Sequence, residues 1–499
     1  MWRAVLLCLG FACLTWLEFD IFPGHSYLEG ETQIYVPMLE RLNSPGFLTR
    51  DLVATHPALT YTAYDEITLS VRRLVDRDIE TVLLWQQVAS RAASILGVYL
   101  IAVSAGVGTL PAFLLAAILN FGAYLPGVEL SLIEREPIPR AFGFAWCVLA
   151  CGLLTRHKPL LAGLAGGLAL LYHPPVSAAF WLPVIMIFVA DKKLRPVMKP
   201  ALTVFFVFAL LLANFTQLQP GIVEPQELLG RLSREAAQVQ QYRTPSAWVS
   251  TWARKFCWIY LALWACALWV ATRPWANLPR LSRLLFMIVP TLGLLSLPVS
   301  YLLLEVGHWS AIPQVQPGRA LLFTVLFASL SAGIAAVASF RAGNRRESAA
   351  WSLLVLGIAA SSAAGRSAVE NKAEALQLGK WAEANTWGSS LFLFPDAGRA
   401  KYPGVFRAAS QRAVYVDWES GSLAAMFPSV ATEWWSRWQR TMARPFSGSI
   451  PADTLSLPVD YYVVRRAHQL PGVTPVFAGK SLVVYDANDL RKPPLSSGR

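Results

Sequence analysis

The chain has 499 residues, 55% of them hydrophobic and only 15% charged, with a mean hydropathy of +0.43. Soluble domains carry about 25% charged residues, so an ordinary water-soluble enzyme is excluded, and 19 Trp, 25 Phe and 15 Tyr exclude a disordered chain. The formal net charge of +12 would suggest a nucleic-acid partner if it formed one face, and its placement along the chain decides that.

Apolar runs of about 17 to 25 residues mark membrane-spanning helices. About eleven such runs are expected, three of them short, at roughly 4–21, 84–104, 109–127, 141–155, 159–172, 175–190, 200–216, 256–272, 284–304, 319–339 and 349–365. The first has no small-residue cleavage pattern and is expected to remain as an anchor. Loop 22–83 follows it. There Glu29-Gly-Glu31 sets two carboxylates where they can converge on a cation or on the proton of a hydroxyl. Ile34, Met38 and Leu42 recur at helical spacing, which predicts an amphipathic helix on the bilayer surface. Asp51 follows it, either as a third acid or as a helix cap or partner of Arg50. A second surface helix is expected at 65–80.

Arg91 lies one to two turns into the second run, shallow enough for its guanidinium to snorkel. Loop 128–140 carries Glu134, Glu136 and Arg140, either a polar site or ion pairs of the two acids with Arg135 and Arg140. His173 interrupts the apolar pattern at Tyr172-His-Pro-Pro175, where it can cap the next helix or serve a site. Loops 217–255 and 305–318 follow, the former with amphipathic character at 224–240. Gln316-Pro-Gly-Arg319 places a guanidinium at headgroup depth, suited to a phosphate or to anchoring at the interface.

Alternating the runs sorts the charge. One side holds Arg3 and the loops 156–158, 191–199, 273–283 and 341–347, with 13 Lys or Arg against Asp191 and Glu347. The positive-inside rule makes that side cytoplasmic. The basic residues therefore report orientation, and a nucleic-acid partner is excluded. The other side carries the acids: from Glu18 to Glu80 there are 11 acids against five Arg. All six Cys lie in or beside apolar runs, with no metal-binding spacing.

After the last run, residues 366–499 form a tail long enough for a small domain. Strand-length apolar runs at Leu391–Phe394, Ala413–Val416, Tyr461–Val464 and Ser481–Tyr485 alternate with helical stretches at 371–385 and 430–443, which predicts a small α/β sheet. It has no Gly-rich phosphate loop and is expected to contact substrate or stabilise the chain.

These features together resemble the bacterial membrane glycosyltransferases of the GT-C superfamily. The likeness rests on Gly30-Glu-Thr-Gln-Ile-Tyr-Val-Pro37, the following Leu42-Asn-Ser-Pro-Gly-Phe-Leu-Thr-Arg-Asp51, Glu136-Pro-Ile-Pro-Arg140, Tyr172-His-Pro-Pro175 and Gln316-Pro-Gly-Arg319. In the tail it rests on Trp381-Ala-Glu-Ala-Asn-Thr386, Phe406-Arg-Ala-Ala-Ser-Gln-Arg412 and Val416-Asp-Trp418. The resemblance implies an inverting transfer of sugar from a polyprenyl-phosphate donor to an acceptor on the outer face of the bacterial inner membrane. It gives Glu31 the part of base or acceptor-orienting carboxylate, with Glu29 and Asp51 as rivals; many members have Asp where this chain has Glu31. Arg319, Arg140 and His173 would face the donor phosphate, and Glu134 and Glu136 would form a second acidic site. No cofactor is required, and a divalent metal is permitted.

The sequence therefore describes a polytopic α-helical membrane protein of about 11 spans. Residues 1–365 form a GT-C-like transmembrane domain, 366–499 a periplasmic α/β domain, with the N-terminus cytoplasmic and membrane lipids as neighbours. Two other readings stand beside transfer: a lipid or polysaccharide transporter or flippase, and a non-catalytic assembly protein that keeps the fold.

Overall fold

Long uninterrupted apolar runs leave the backbone one way to satisfy its polar groups away from water, the α-helix, and a helix lies in each of the eleven expected runs, although in 109–127 it stops at Asn120 and a short strand follows at Tyr124–Leu125. The computed structural model describes residues 2–59, 61–215, 229–365 and 368–491. Among them, six helices are long and apolar enough to cross a membrane by length and composition: Ile79–Ser104, Arg195–Asn214, Arg254–Thr272, Arg280–Val306, Ala311–Arg341 and Arg345–Ala364. Thr109–Asn120, Pro139–Thr155, Pro159–Tyr172 and Pro174–Ala190 are apolar but shorter. The helix Trp2–Asp20 opens the chain.

The chain forms two compact units. The first takes residues 1–26, 59–217 and 245–366; the second takes 27–58, 218–244 and 367–499. The tail expected at 366–499 thus shares its unit with parts of two loops.

In the first unit, burial sorts the helices by role. Leu321–Arg341 has 17 of its 21 residues buried, whereas only Val355 and Ala359 are buried on Arg345–Ala360. A helix apolar on all sides and enclosed is the core. One that leaves Leu353 and Leu356 exposed, as Arg195–Phe215 leaves Phe206 and Leu210, presents its side chains to lipid. Small residues set the closest crossing. A Cβ on Gly97 would lie 2.6 Å from the Val148 carbonyl, and one on Gly152 would lie 2.7 Å from the Gly97 carbonyl. Glycine there lets the helices Ile79–Ser104 and Pro139–Thr155 meet backbone to backbone.

Arg91 does not snorkel. It is 4% exposed and donates to the carbonyls of Glu18, Gly24 (2.7 Å) and Glu134 (3.1 Å).

The second unit is built on a five-stranded sheet in the order Ala413–Val414, Leu391–Leu393, Tyr461–Arg465, Leu482–Asp486, Phe477–Ala478. The first two pairings are parallel, with Leu391 opposite Ala413 and Phe392 opposite Tyr461. The last two are antiparallel, with Val463 opposite Val484 and Phe477 opposite Val484. All three residues of the strand Leu391–Leu393 are buried, as a parallel strand covered on both faces requires. The helices Lys372–Asn385 and Tyr402–Ser410 pack together where a Cβ on Gly379 would lie 2.8 Å from Ala409 Cβ.

The helix Thr32–Asn43 belongs to this unit. Ile34, Val36, Met38 and Leu39, all buried, face protein rather than lying on a bilayer. Its neighbour is the helix Tyr402–Ser410, whose Gly404 makes room for Gln33: a Cβ there would be 2.1 Å from Gln33 Oε1. The second expected surface helix is Tyr64–Val75, in the first unit. Of the stretch 224–240, residues 224–228 lie outside the described residues, and a helix runs over Arg234–Arg243.

A candidate anion site and an acidic loop

The residues singled out from sequence divide between the units: Glu134, Glu136, Arg140, His173 and Arg319 in the first, Glu29, Glu31 and Asp51 in the second.

In the first unit, Arg140 stands in the opening turn of the helix Pro139–Thr155, where Pro139 needs no hydrogen-bond acceptor. Its Nε donates to Glu134 Oε1 at 3.0 Å, with side-chain exposures of 10% and 16%. Glu136 is buried beside this pair in sequence, and the loop is braced where Tyr64 Oη donates to the Pro137 carbonyl at 3.1 Å. His173 ends the helix Pro159–Tyr172 and caps the helix Pro174–Ala190, its Nδ1 accepting from Val176 N at 3.2 Å. Arg319 sits in the 3-10 turn Pro317–Ala320, with Nη1 2.6 Å from His173 Nε2.

Glycines make this approach feasible. A Cβ on Gly143, one turn after Arg140, would lie 2.8 Å from His173 Cβ. One on Gly293 would lie 2.1 Å from Thr324 Oγ1 and 2.8 Å from the Ala320 carbonyl, next to Arg319.

The imidazole cannot satisfy both neighbours. A neutral ring has one donor and one acceptor nitrogen. If Nδ1 accepts from Val176, Nε2 carries the hydrogen and confronts the Arg319 guanidinium, donor against donor. If Nε2 accepts from Arg319, the Val176 amide faces an N–H. Protonation makes both conflicts worse, and burial together with the charges of Arg319 and Arg140 holds the His173 pKa well below the ordinary imidazole range.

In the second unit, Glu29 Oε1 lies 3.3 Å from Lys372 Nζ, which also donates to the Tyr27 carbonyl at 2.6 Å. Glu31 is half-buried at the start of the helix Thr32–Asn43 and makes no side-chain cap to it. Thr32 fixes the turn, its Oγ1 accepting from Leu28 N at 2.8 Å.

Asp51 differs from the expectation of a rival base. It is fully buried. Its Oδ1 caps the turn Leu52–Thr55 by accepting from Val53 N (2.9 Å) and Ala54 N (3.1 Å). Its Oδ2 accepts from Arg407 Nε (2.8 Å) and Val414 N (2.9 Å). Arg407 reaches on to Asp417, and burial that would lower its pKa is outweighed by the two carboxylates, which raise it. A carboxylate with four donors and no solvent access is a structural tie. Arg407 and Asp417 lie within two of the tail motifs of the resemblance but were not singled out as site residues, because nothing local marks a charged side chain as buried.

Among the described residues, no cluster of three or more His, Cys, Asp or Glu could hold a metal ion. No protein-family model matches the sequence, and no curated protein matches it. Solved structures do. One is the cryo-EM structure of a point mutant of the arabinofuranosyltransferase AftD from Mycobacteria. It is 14% identical with a TM-score of 0.50 and covers 97% of this chain and 41% of that one. ArnT from Cupriavidus metallidurans is 11% identical and covers 97% of each chain, with TM-scores of 0.36 in the apo state and 0.34 bound to undecaprenyl phosphate. The chain spans about 40% of the length of AftD. The likeness to the AftD mutant, at this identity, is one of fold alone.

Proposed function

We propose that this protein is a membrane glycosyltransferase that moves a sugar from a polyprenyl-phosphate donor to an acceptor at the outer face of the bacterial inner membrane. The observation that carries the reading is the buried contact of Arg319 Nη1 with His173 Nε2 at 2.6 Å, which holds a guanidinium where the helices Pro159–Tyr172 and Pro174–Ala190 meet. Arg140 is a second buried guanidinium of the same unit, held by Glu134 at 3.0 Å. A lipid phosphate is an anion suited to such cations. Preorganised cations would hold the donor and would stabilise the phosphate as it leaves with the bonding electrons of the glycosidic C–O bond.

Inversion requires the acceptor oxygen to attack the anomeric carbon from the face opposite the phosphate, while a base takes its proton. We assign the base to Glu31. The assignment follows the GT-C resemblance; of the rivals, Glu29 lies 3.3 Å from Lys372 Nζ and Asp51 is enclosed by four donors. Glu134 stays with Arg140 as the guanidinium's orienting partner. The fold of the GT-C enzymes is consistent with this chemistry and does not by itself assign it.

A transporter reading has less support. The most enclosed helix, Leu321–Arg341, has no ionisable side chain before its final Arg, whereas ion-coupled transport needs polar groups at depth.

The test is binding of undecaprenyl phosphate to the purified protein in nanodiscs, by native mass spectrometry. Wild type should bind it in preference to undecaprenol. Arg319→Ala removes at least one charge-assisted hydrogen bond, worth about 1.5–3 kcal/mol, so affinity should fall by roughly 10- to 150-fold. Equal binding of the phosphorylated and unphosphorylated lipid would overturn the site.

A further inference from the structure

Two side chains that the transfer chemistry does not use, Gln87 and Arg91, lie four residues apart on one face of the helix Ile79–Ser104, and both are buried. They grip consecutive carbonyls of the loop that carries the anion site. Arg91 Nη2 donates to Glu134 O at 3.1 Å, and Gln87 Nε2 donates to Arg135 O at 2.7 Å. Ser26 N donates to the same Arg135 carbonyl at 3.0 Å. Each grip is itself held. Gln87 Oε1 faces His25 Nδ1 at 2.6 Å, and His25 stacks on Phe19 with centroids 4.9 Å apart. The Arg91 guanidinium lies 5.7 Å over the same Phe19 ring and also binds the Glu18 and Gly24 carbonyls.

The consequence runs through the backbone. Glu134 is the residue whose carboxylate receives Arg140, and the 134–140 segment leads directly into the helix that presents Arg140. Fixing the carbonyls of 134 and 135 fixes where the Glu134 side chain starts, and hence how Arg140 is aimed.

We propose that Gln87 and Arg91 are positioning residues for lipid-phosphate recognition, setting the Glu134–Arg140 pair without touching the ligand. This rests on the reading of Arg140, His173 and Arg319 as the phosphate site. Carbonyls that accept from a buried guanidinium and a buried amide have little water to replace those bonds, so losing them lets the loop shift. A displacement of about 1 Å at a site of this kind costs on the order of 100-fold in function.

Gln87→Met, close in volume and lacking both polar atoms, is the cleaner variant, because Arg91→Ala leaves three carbonyls without a donor and can fail to fold. Binding of undecaprenyl phosphate and of undecaprenol is measured in nanodiscs by native mass spectrometry for wild type, Gln87→Met, Arg91→Lys, Arg140→Ala and the Gln87→Met/Arg140→Ala double variant. Positioning predicts that Gln87→Met weakens the phosphate lipid about tenfold and leaves undecaprenol unchanged. In the double variant it predicts little further loss beyond Arg140→Ala, since both act through one guanidinium. Arg91→Lys, which keeps the charge with fewer donors for the Glu18, Gly24 and Glu134 carbonyls, should also weaken the phosphate lipid, and wild-type affinity would overturn the part given to Arg91. Equal loss for both lipids, or additive losses in the double variant, overturns the proposal. If wild type itself does not discriminate between the two lipids, the phosphate site fails, and the positioning role fails with it.

Discussion

Substitution of Asp51 separates a structural carboxylate from a catalytic one. In Asp51→Asn the side chain keeps its size but exchanges one acceptor oxygen for a donor amide. If the amide takes the Oδ2 position, it confronts Arg407 Nε and Val414 N, which now approach at 2.8 and 2.9 Å. If it takes the Oδ1 position, it confronts the Val53 and Ala54 amides. Either way a buried donor pair loses its acceptor, and Arg407 loses one of its two anionic partners. Arg407 and Asp51 have side-chain exposures of 1% and 0%, so solvent cannot compensate. Removing one member of a buried ion pair costs about 3–5 kcal/mol, and the lost cap adds about 1 kcal/mol. The second unit should unfold at a markedly lower temperature, seen as loss of protease resistance at fragments from 367–491 in a heated sample.

Turnover per folded molecule should remain near wild type. The double variant Asp51→Asn/Arg407→Met should recover part of the loss, because replacing a buried ion pair by apolar groups is far less costly than breaking it. The reasoning is refuted if Asp51→Asn retains full thermal stability while donor turnover collapses; Asp51 would then be the base.

The remaining predictions concern packing, pH and the site. Gly143→Ala should impair undecaprenyl phosphate binding, since its Cβ would lie 2.8 Å from His173 Cβ and push the ring off Arg319; titration of lipid against the variant checks this, and unchanged affinity would separate His173 from the site. Glu374 accepts from Ser481 N (2.7 and 2.8 Å) and Leu482 N (2.8 Å), and although burial opposes it, these bonds hold its pKa below the usual carboxylate value. Its folded pKa being depressed, the stability it contributes is present above about pH 4.3, the unfolded value, and is lost as pH falls through the folded one. Acid unfolding followed by intrinsic fluorescence should therefore shift to higher pH in wild type than its neutral-pH stability alone would give, and Glu374→Gln should flatten that acid limb.

The parts of the fold that were legible in the sequence are those specified by local pattern. Apolar runs gave the helices to within a few residues, and the four runs beginning at Leu391, Ala413, Tyr461 and Ser481 became strands because short β-branched and aromatic stretches between polar turns have few alternatives. The helix Tyr402–Ser410 was not among the expected elements; Pro403 occupies its first turn, where a missing N–H costs nothing, and Gly404 admits Gln33.

Long-range ties were illegible. Asp51 and Arg407 are 356 residues apart in sequence, and nothing local distinguishes a buried arginine from a solvated one. Arg91 was misjudged for a related reason. Its depth in the helix permitted snorkelling, and only the carbonyls delivered by residues 18, 24 and 134 made burial the better outcome. Glu134 and Arg140, six residues apart, were foreseeable as a pair; the meeting of His173 with Arg319 across 146 residues was not.

Transfer itself is the most direct test. Purified protein in nanodiscs, given radiolabelled polyprenyl-phosphate sugars and a membrane acceptor fraction, should move label to the acceptor and release polyprenyl phosphate. With Glu31→Gln the rate should drop by about 100- to 10,000-fold, the usual span for a general base, while undecaprenyl phosphate still binds with wild-type affinity. Undiminished transfer by both Glu31→Gln and Arg319→Ala would contradict the account.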